Sequence, residues 1–286
     1  MGGRSRIVIA AGLVAVLIFG GLIDFLKVRE ETIVFATERS HSGLVAQIPP
    51  DSQRLTLRSD GLALTGLAFR ASRGNDSGYW ILHLHGNGES AFSPRQIRHC
   101  EALRAMGFNV LGLDYRGYGE SPGKASESGL DDDAEAGYQT LLTQGVPEDH
   151  IILWGHSLGS APAVLLATRH KAAALVLFSA FTSMPDAVAL RYSMEPLWKA
   201  IGVQFDSLSI IGRVHIPVIV ASSRGDAVIP YAQAQKLFAA ANEPKILMSL
   251  DPSPGSELGG HSDALYEHLD ALKSCLRSIA PSMEKI

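Results

Sequence analysis

A serine held between two glycines is the first place where this chain could do chemistry. Trp154-Gly155-His156-Ser157-Leu158-Gly159-Ser160 carries the spacing Gly-x-Ser-x-Gly. The apolar run 151–154 before it reads as a strand, and 158–170 after it reads as a helix. Glycine on either side lets the backbone turn sharply without side-chain clashes. Such an elbow would lift the Ser157 hydroxyl above the sheet edge, at the start of the helix. Backbone N–H groups and the positive dipole end gathered there can stabilise an oxyanion.

A serine hydroxyl is a weak nucleophile and needs a positioned base. Among the histidines after Ser157, His170, His215 and His268 read as helix end, pre-strand and mid-helix residues. His261 instead lies in a glycine-flanked loop, Leu258-Gly259-Gly260-His261-Ser262-Asp263, after the last strand. It is the expected base. An acid that orients it should follow the preceding strand, and Asp226 in Arg224-Gly225-Asp226-Ala227-Val228-Ile229-Pro230 does so. The competing reading of Asp226 is an N-cap for the helix near Tyr231. Asp206 and Asp251 are rival acids in weaker places. Oxyanion donors are expected from the backbone N–H of Leu158 and of Asn87, the latter in the loop His85-Gly86-Asn87-Gly88-Glu89-Ser90. His83 and His85 lack a third ligand at suitable spacing, so no metal is expected and His85 is read as a brace for the loop. No cofactor is implied.

These loops need elements to hold them. Arg54-Leu55-Thr56-Leu57 and 62–69 flank Ser59-Asp60-Gly61, the pattern of a hairpin. Short apolar runs then alternate with helical stretches: strands at 79–84, 107–114, 151–154, 173–178, 216–222 and 245–250, with helices to 106 and at 130–144, 158–170, 231–241 and 262–279. Continuous apolar strands between helices predict an α/β fold with a mostly parallel central sheet covered on both faces. Residues 183–212 interrupt the alternation and read as a short lid insertion; an ordinary long connection is the alternative. Thr32-Ile33-Val34-Phe35 reads as one further strand. The turn Asp114-Tyr115-Arg116-Gly117-Tyr118-Gly119-Glu120-Ser121 is read as structural rather than catalytic.

The chain has 286 residues, 46% apolar and 19% charged, so disordered and collagen-like classes drop out. A net charge of -4 without a basic run excludes an electrostatic nucleic-acid partner. Cys100 and Cys275 are too few for a disulfide framework or a zinc site. Residues 7–23 form an uncharged apolar run, IVIAAGLVAVLIFGGLI. Its length sits at the lower edge of what crosses a bilayer and above the apolar core of a secretory signal. The expected organisation is a membrane anchor with its flank at 1–27 and a catalytic domain at 28–286, outside the cytoplasm; secretion after signal cleavage is the alternative.

Together, the segments His85-Gly86-Asn87-Gly88, 114–121, Gly155-His156-Ser157-Leu158-Gly159, 225–230 and Gly260-His261-Ser262-Asp263 resemble the α/β-hydrolase superfamily, over nearly everything after residue 50. The resemblance is greatest to the Bem46-like, serine-aminopeptidase-like (S33) branch. It implies the α/β-hydrolase fold and a serine hydrolase with Ser157, Asp226 and His261 as triad. A small-molecule or lipid-like acyl ester or thioester is the expected substrate. A peptidase on short peptides, with Glu195 or Asp206 gripping the amine, is the alternative, and a non-catalytic tethered binding module a third reading. Two features stand apart from the family pattern: the loop 252–257, expected to reshape the pocket, and the loosely matching stretch 28–50. On this fold Cys100 and Cys275 lie on helices of one face, as free thiols or, outside the cytoplasm, as a possible disulfide.

Overall fold

A computed structural model describes residues 34–42, 47–189, 202–252, 254–280 and 283. The apolar run 7–23 therefore lies outside the described residues. So do Tyr192, Met194, Glu195, Leu197 and Trp198 of the insertion. Among the described residues, no helix is long and apolar enough to cross a membrane.

Eight strands form one sheet: β1 (Ser52–Ser59), β2 (Leu62–Phe69), β3 (Trp80–Leu84), β4 (Asn109–Leu113), β5 (Ile151–His156), β6 (Ala174–Phe178), β7 (Val218–Ser223) and β8 (Lys245–Leu250). Their order is β1-β2-β4-β3-β5-β6-β7-β8. The first hairpin is antiparallel, and β2 pairs antiparallel with β4; every other pairing is parallel. The hairpin closes with Ser59 opposite Leu62, so Asp60-Gly61 is a two-residue turn. Both turn residues have positive φ, 43° and 77°, as a type I′ turn requires.

The strand runs split by parity. Leu82, Leu84, Leu111, Leu113, Leu153, Leu175, Leu177, Val218 and Val220 face one core. Ile81, Val110, Ile152, Trp154, Val176, Phe178, Ile219 and Ala221 face the other. A sheet buried on both faces needs apolar residues at consecutive positions, which is why its strands read as unbroken runs. Helices Glu127–Thr143, Ser160–Arg169 and Tyr231–Ala240 cover the first face; Pro94–Ala105 and Leu269–Ile279 cover the second. Cys100 and Cys275 share that second core as free thiols, Cys100 buried and Cys275 half-buried.

Two expectations are corrected. The last helix begins at Leu269, not at Ser262. Residues 261–267 instead form turns, because their side chains are bound elsewhere. Asp263 takes a ring N–H of His99 at 3.0 Å, and Tyr266 stacks on His99 with centroids 3.6 Å apart. Val34 and Phe35 belong to no strand; the sheet starts at Ser52. They lead into a short helix, Thr37–Ser42, that lies against the loops at the top of the sheet.

Candidate active site

The elbow forms where the spacing places it. Strand β5 ends at His156, Ser157 adopts φ 48°, and a 3-10 turn, Ser157–Gly159, leads into the helix Ser160–Arg169. A positive φ at a non-glycine residue is strained, and the packing around it must enforce it. Both glycines are required. A Cβ on Gly155 would meet Ser160 Cα at 2.5 Å, and one on Gly159 would collide with the Leu84 carbonyl oxygen.

Folding brings Ser157, Asp226 and His261 into one relay. His261 Nε2 lies 3.1 Å from Ser157 Oγ, and Nδ1 lies 2.9 and 3.0 Å from the Asp226 carboxylate oxygens. A carboxylate only accepts, so Nδ1 carries the proton and the Nε2 lone pair faces the hydroxyl. Asp226 is in turn fixed by the N–H groups of Val228 and Ile229, both donating to Oδ1 at 2.9 and 2.8 Å. Asp226 and His261 are buried; Ser157 is half-exposed. An alcohol, an imidazole and a carboxylate so ordered can move the hydroxyl proton onto the ring as the oxygen attacks. The rivals lie elsewhere. Asp206 caps the helix Ser207–Ile210 through Ser209 N–H, and Asp251 pairs with Arg224.

Ser157 opens on a cavity of about 850 Å³. Its wall includes Phe181 just before the insertion, Met184 and Val188 from its start, Val228 and Ile229 near Asp226, and Leu258 from the loop before His261. The segment 34–39 forms another wall, and Lys124 and Ala125 also border the cavity. Phe35 there is buried and meets Phe205 edge-on, with centroids 6.2 Å apart. Glu127 accepts the N–H groups of Gln204 and Phe205, both at 2.6 Å, and so anchors the far end of the insertion. Leu258, with φ 50°, lies on the rim.

Leu158 and Asn87 both border the cavity. Asn87 has a second use that its position in the sequence did not signal. Its side chain donates to Val34 O at 2.7 Å and accepts from Ala36 N–H at 2.8 Å and from Tyr118 OH at 2.7 Å. One amide thus pins the N-terminal strap over the pocket. The tight turn 114–121 is structural: Asp114 accepts from Ala91 N–H, Glu120 N–H and Ser90 OH. His85 braces the loop, with Nδ1 donating to the Gly86 carbonyl at 2.8 Å. Among the described residues, no group of three His, Cys, Asp or Glu side chains is placed to hold a metal.

The comparisons agree with this architecture. Residues 79–210 match the family model described as serine aminopeptidase, S33. An uncharacterized protein of Mycobacterium tuberculosis H37Rv is 34% identical over 85% of this chain and 85% of its own. The alpha/beta hydrolase domain-containing protein 17B of Xenopus tropicalis is 30% identical over 71% of this chain and 72% of its own. The lysophosphatidylserine lipase ABHD12 of Danio rerio is 30% identical over 58% of this chain and 48% of its own. Among solved structures, the Pyrococcus furiosus esterase Pf2001 superposes with a TM-score of 0.67 at 19% identity, over 83% of this chain and 97% of that one. The chain belongs to the α/β-hydrolase superfamily, in its serine-aminopeptidase-like S33 branch.

Proposed function

We propose that this hydrolase cleaves an ester or thioester of an apolar acyl group through an acyl-enzyme on Ser157. The observation that carries the reading is the 3.1 Å contact between Ser157 Oγ and His261 Nε2, opening on a largely apolar cavity. His261 takes the hydroxyl proton as Ser157 attacks, Asp226 stabilises the imidazolium, and the Leu158 and Asn87 N–H groups hold the oxyanion. The proton on Nε2 then passes to the leaving group, and water releases the acyl group by the same path in reverse. The apolar wall of Phe35, Phe181, Met184 and Ile229 supports an acyl chain as the recognised part. The relatives described as lipases and the esterase neighbour point the same way. The uncharged run 7–23 supports a tether that keeps the site near a lipid surface.

A peptidase reading is favoured by the match to the serine aminopeptidase model and by Glu38, which borders the cavity and could meet a substrate amine. Asp206 does not serve it, because its carboxylate caps a helix. Purified protein should turn over acyl esters of graded chain length and be labelled by a fluorophosphonate, with Ser157→Ala abolishing both. Labelling undiminished in Ser157→Ala refutes the assignment. Faster turnover of aminoacyl anilides than of acyl esters selects the peptidase reading instead.

A further inference from the structure

Behind the triad lies a second histidine–carboxylate contact. His156, the residue before the nucleophile, is buried, and both its ring nitrogens face acceptors. Nδ1 lies 3.3 Å from Glu89 Oε2, and Nε2 lies 3.1 Å from the main-chain oxygen of His261. A carbonyl oxygen only accepts, so Nε2 must carry a proton. Glu89 Oε2 already accepts Gly86 N–H at 2.9 Å and the Gln96 side-chain amide at 2.6 Å. An oxygen that accepts from two donors faces Nδ1 as an acceptor again, so Nδ1 must be protonated too. A ring with both nitrogens protonated is an imidazolium. Its counter-ion is a carboxylate with buried donors on it.

We propose that Glu89 and His156 form a buried carboxylate–imidazolium pair that positions His261 and the Gly86–Asn87 loop for the reaction proposed above. His156 is a positioning residue: it acts through the main chain of the base and touches no substrate. The pair joins three loops distant in sequence. Glu89 clamps Gly86, next to Asn87; His156 leads directly into Ser157; and the His261 carbonyl receives both His156 Nε2–H and Ser179 OH at 2.9 Å. A Cβ at Gly86 would come within 2.9 Å of His156 Nδ1, so the loop can approach the ring only as glycine.

The charges around the pair are consistent with it. Burial opposes the charge on His156, while Glu89, the His261 carbonyl and Asp226 favour it and raise the ring above its ordinary value. Burial likewise opposes the Glu89 charge, but His156, His85 and His99 outweigh it and lower the carboxyl. Arg95 adds a cation 3.7 Å from the other Glu89 oxygen. The His261 ring itself lies 5.4 Å from the His156 ring, so the pair sits directly against the base.

The inference rests on Ser157 chemistry for its catalytic half only, and the test separates the two. In the full chain with 15N-labelled histidine, His156 should show two protonated ring nitrogens at pH 8, in wild type and in Ser157→Ala alike. The signal is assigned by its loss in His156→Gln. One unprotonated ring nitrogen at pH 8 overturns the proposal, whatever the activity. For kinetics, His156→Gln keeps a donor for the His261 carbonyl but removes the charge. We expect kcat/KM to fall about a hundredfold, the scale of misplacing a reacting group by about 1 Å, with KM little changed. Glu89→Gln should show the same split, a fall in kcat with KM little changed. A kcat/KM within about twofold of wild type in both folded variants overturns the proposal. Turnover that survives Ser157→Ala instead rejects the serine mechanism and leaves the NMR result to decide the pair.

Discussion

Two surroundings meet at Ser157, and they differ in kind. Beneath it lies a polar block in three hydrogen-bonded groups, Gln96–Glu89–His156, His99–Asp263 and His83–Tyr266, with bonds of 2.6–3.3 Å and with His99 stacked on Tyr266. Above it lies an apolar wall, with Phe35, Phe181, Met184 and Ile229 drawn from three separate stretches of the chain. Hydrogen bonds are directional, and breaking one in a buried site is costly, so the block restricts its geometry. Apolar contact is non-directional and tolerates volume changes, so the wall can vary without moving the relay. In the proposed reaction the block would orient the chemistry and the wall would select what enters.

The largest expected effect lies within the relay. Asp226→Asn should lower kcat about ten-thousandfold with little change in KM, because the amide favours the wrong imidazole tautomer. A loss under tenfold, measured with a short-chain ester, would mean that another acid serves His261.

Next comes the polar block. Glu89→Gln should cost about 3–5 kcal/mol in urea unfolding, as for the loss of one partner of a buried pair. The pH dependence has a definite sign. Glu89 is lowered from 4.5, so its contribution is present above that value and fades as pH falls through the folded value. His156 is raised from 6.5, so its contribution is full below that value and fades as pH rises through the folded one. The difference between wild type and Glu89→Gln should therefore be greatest between 4.5 and 6.5. A difference independent of pH would dissolve the contrast between block and wall.

The wall should respond in selectivity rather than rate. Phe35→Ala enlarges the cavity without touching the relay. The preferred acyl chain should lengthen, with the ratio of long- to short-chain kcat/KM rising about tenfold. An unchanged ratio together with a large fall in kcat would place the strap in the chemistry instead. The smallest effect belongs to the surface. Arg54 pairs with Glu120 while both side chains are about half exposed, so Arg54→Ala should cost under about 1 kcal/mol, read by urea unfolding.

What could be read from the residues alone follows how far each signal reaches along the chain. Gly155-His156-Ser157-Leu158-Gly159 is local, and the turn it predicts is the turn observed. Asp60-Gly61 likewise announced its hairpin. His261 and Asp226 could be located because each follows a strand of recognisable pattern, and the structure brings them to Ser157. The Glu89–His156 pair could not, because its partners are 67 residues apart and both sit in segments already assigned to other tasks. The strap was misread for a related reason. Val34 and Phe35 are apolar like a strand, yet their backbone partner is the Asn87 side chain, 53 residues from Val34. The late start of the last helix reflects tertiary contacts, His99 with Asp263 and Tyr266, that no helical period records.

The central claim is that a covalent bond forms on Ser157 Oγ. Rapid quenching of the reaction with a slowly deacylating ester, followed by mass spectrometry of the digested protein, reads this directly. The account predicts one acyl adduct on the peptide containing Ser157, absent from Ser157→Ala and accumulating in His261→Ala far more slowly than in wild type. Steady turnover with no adduct on that peptide, or an adduct on another residue, would contradict it.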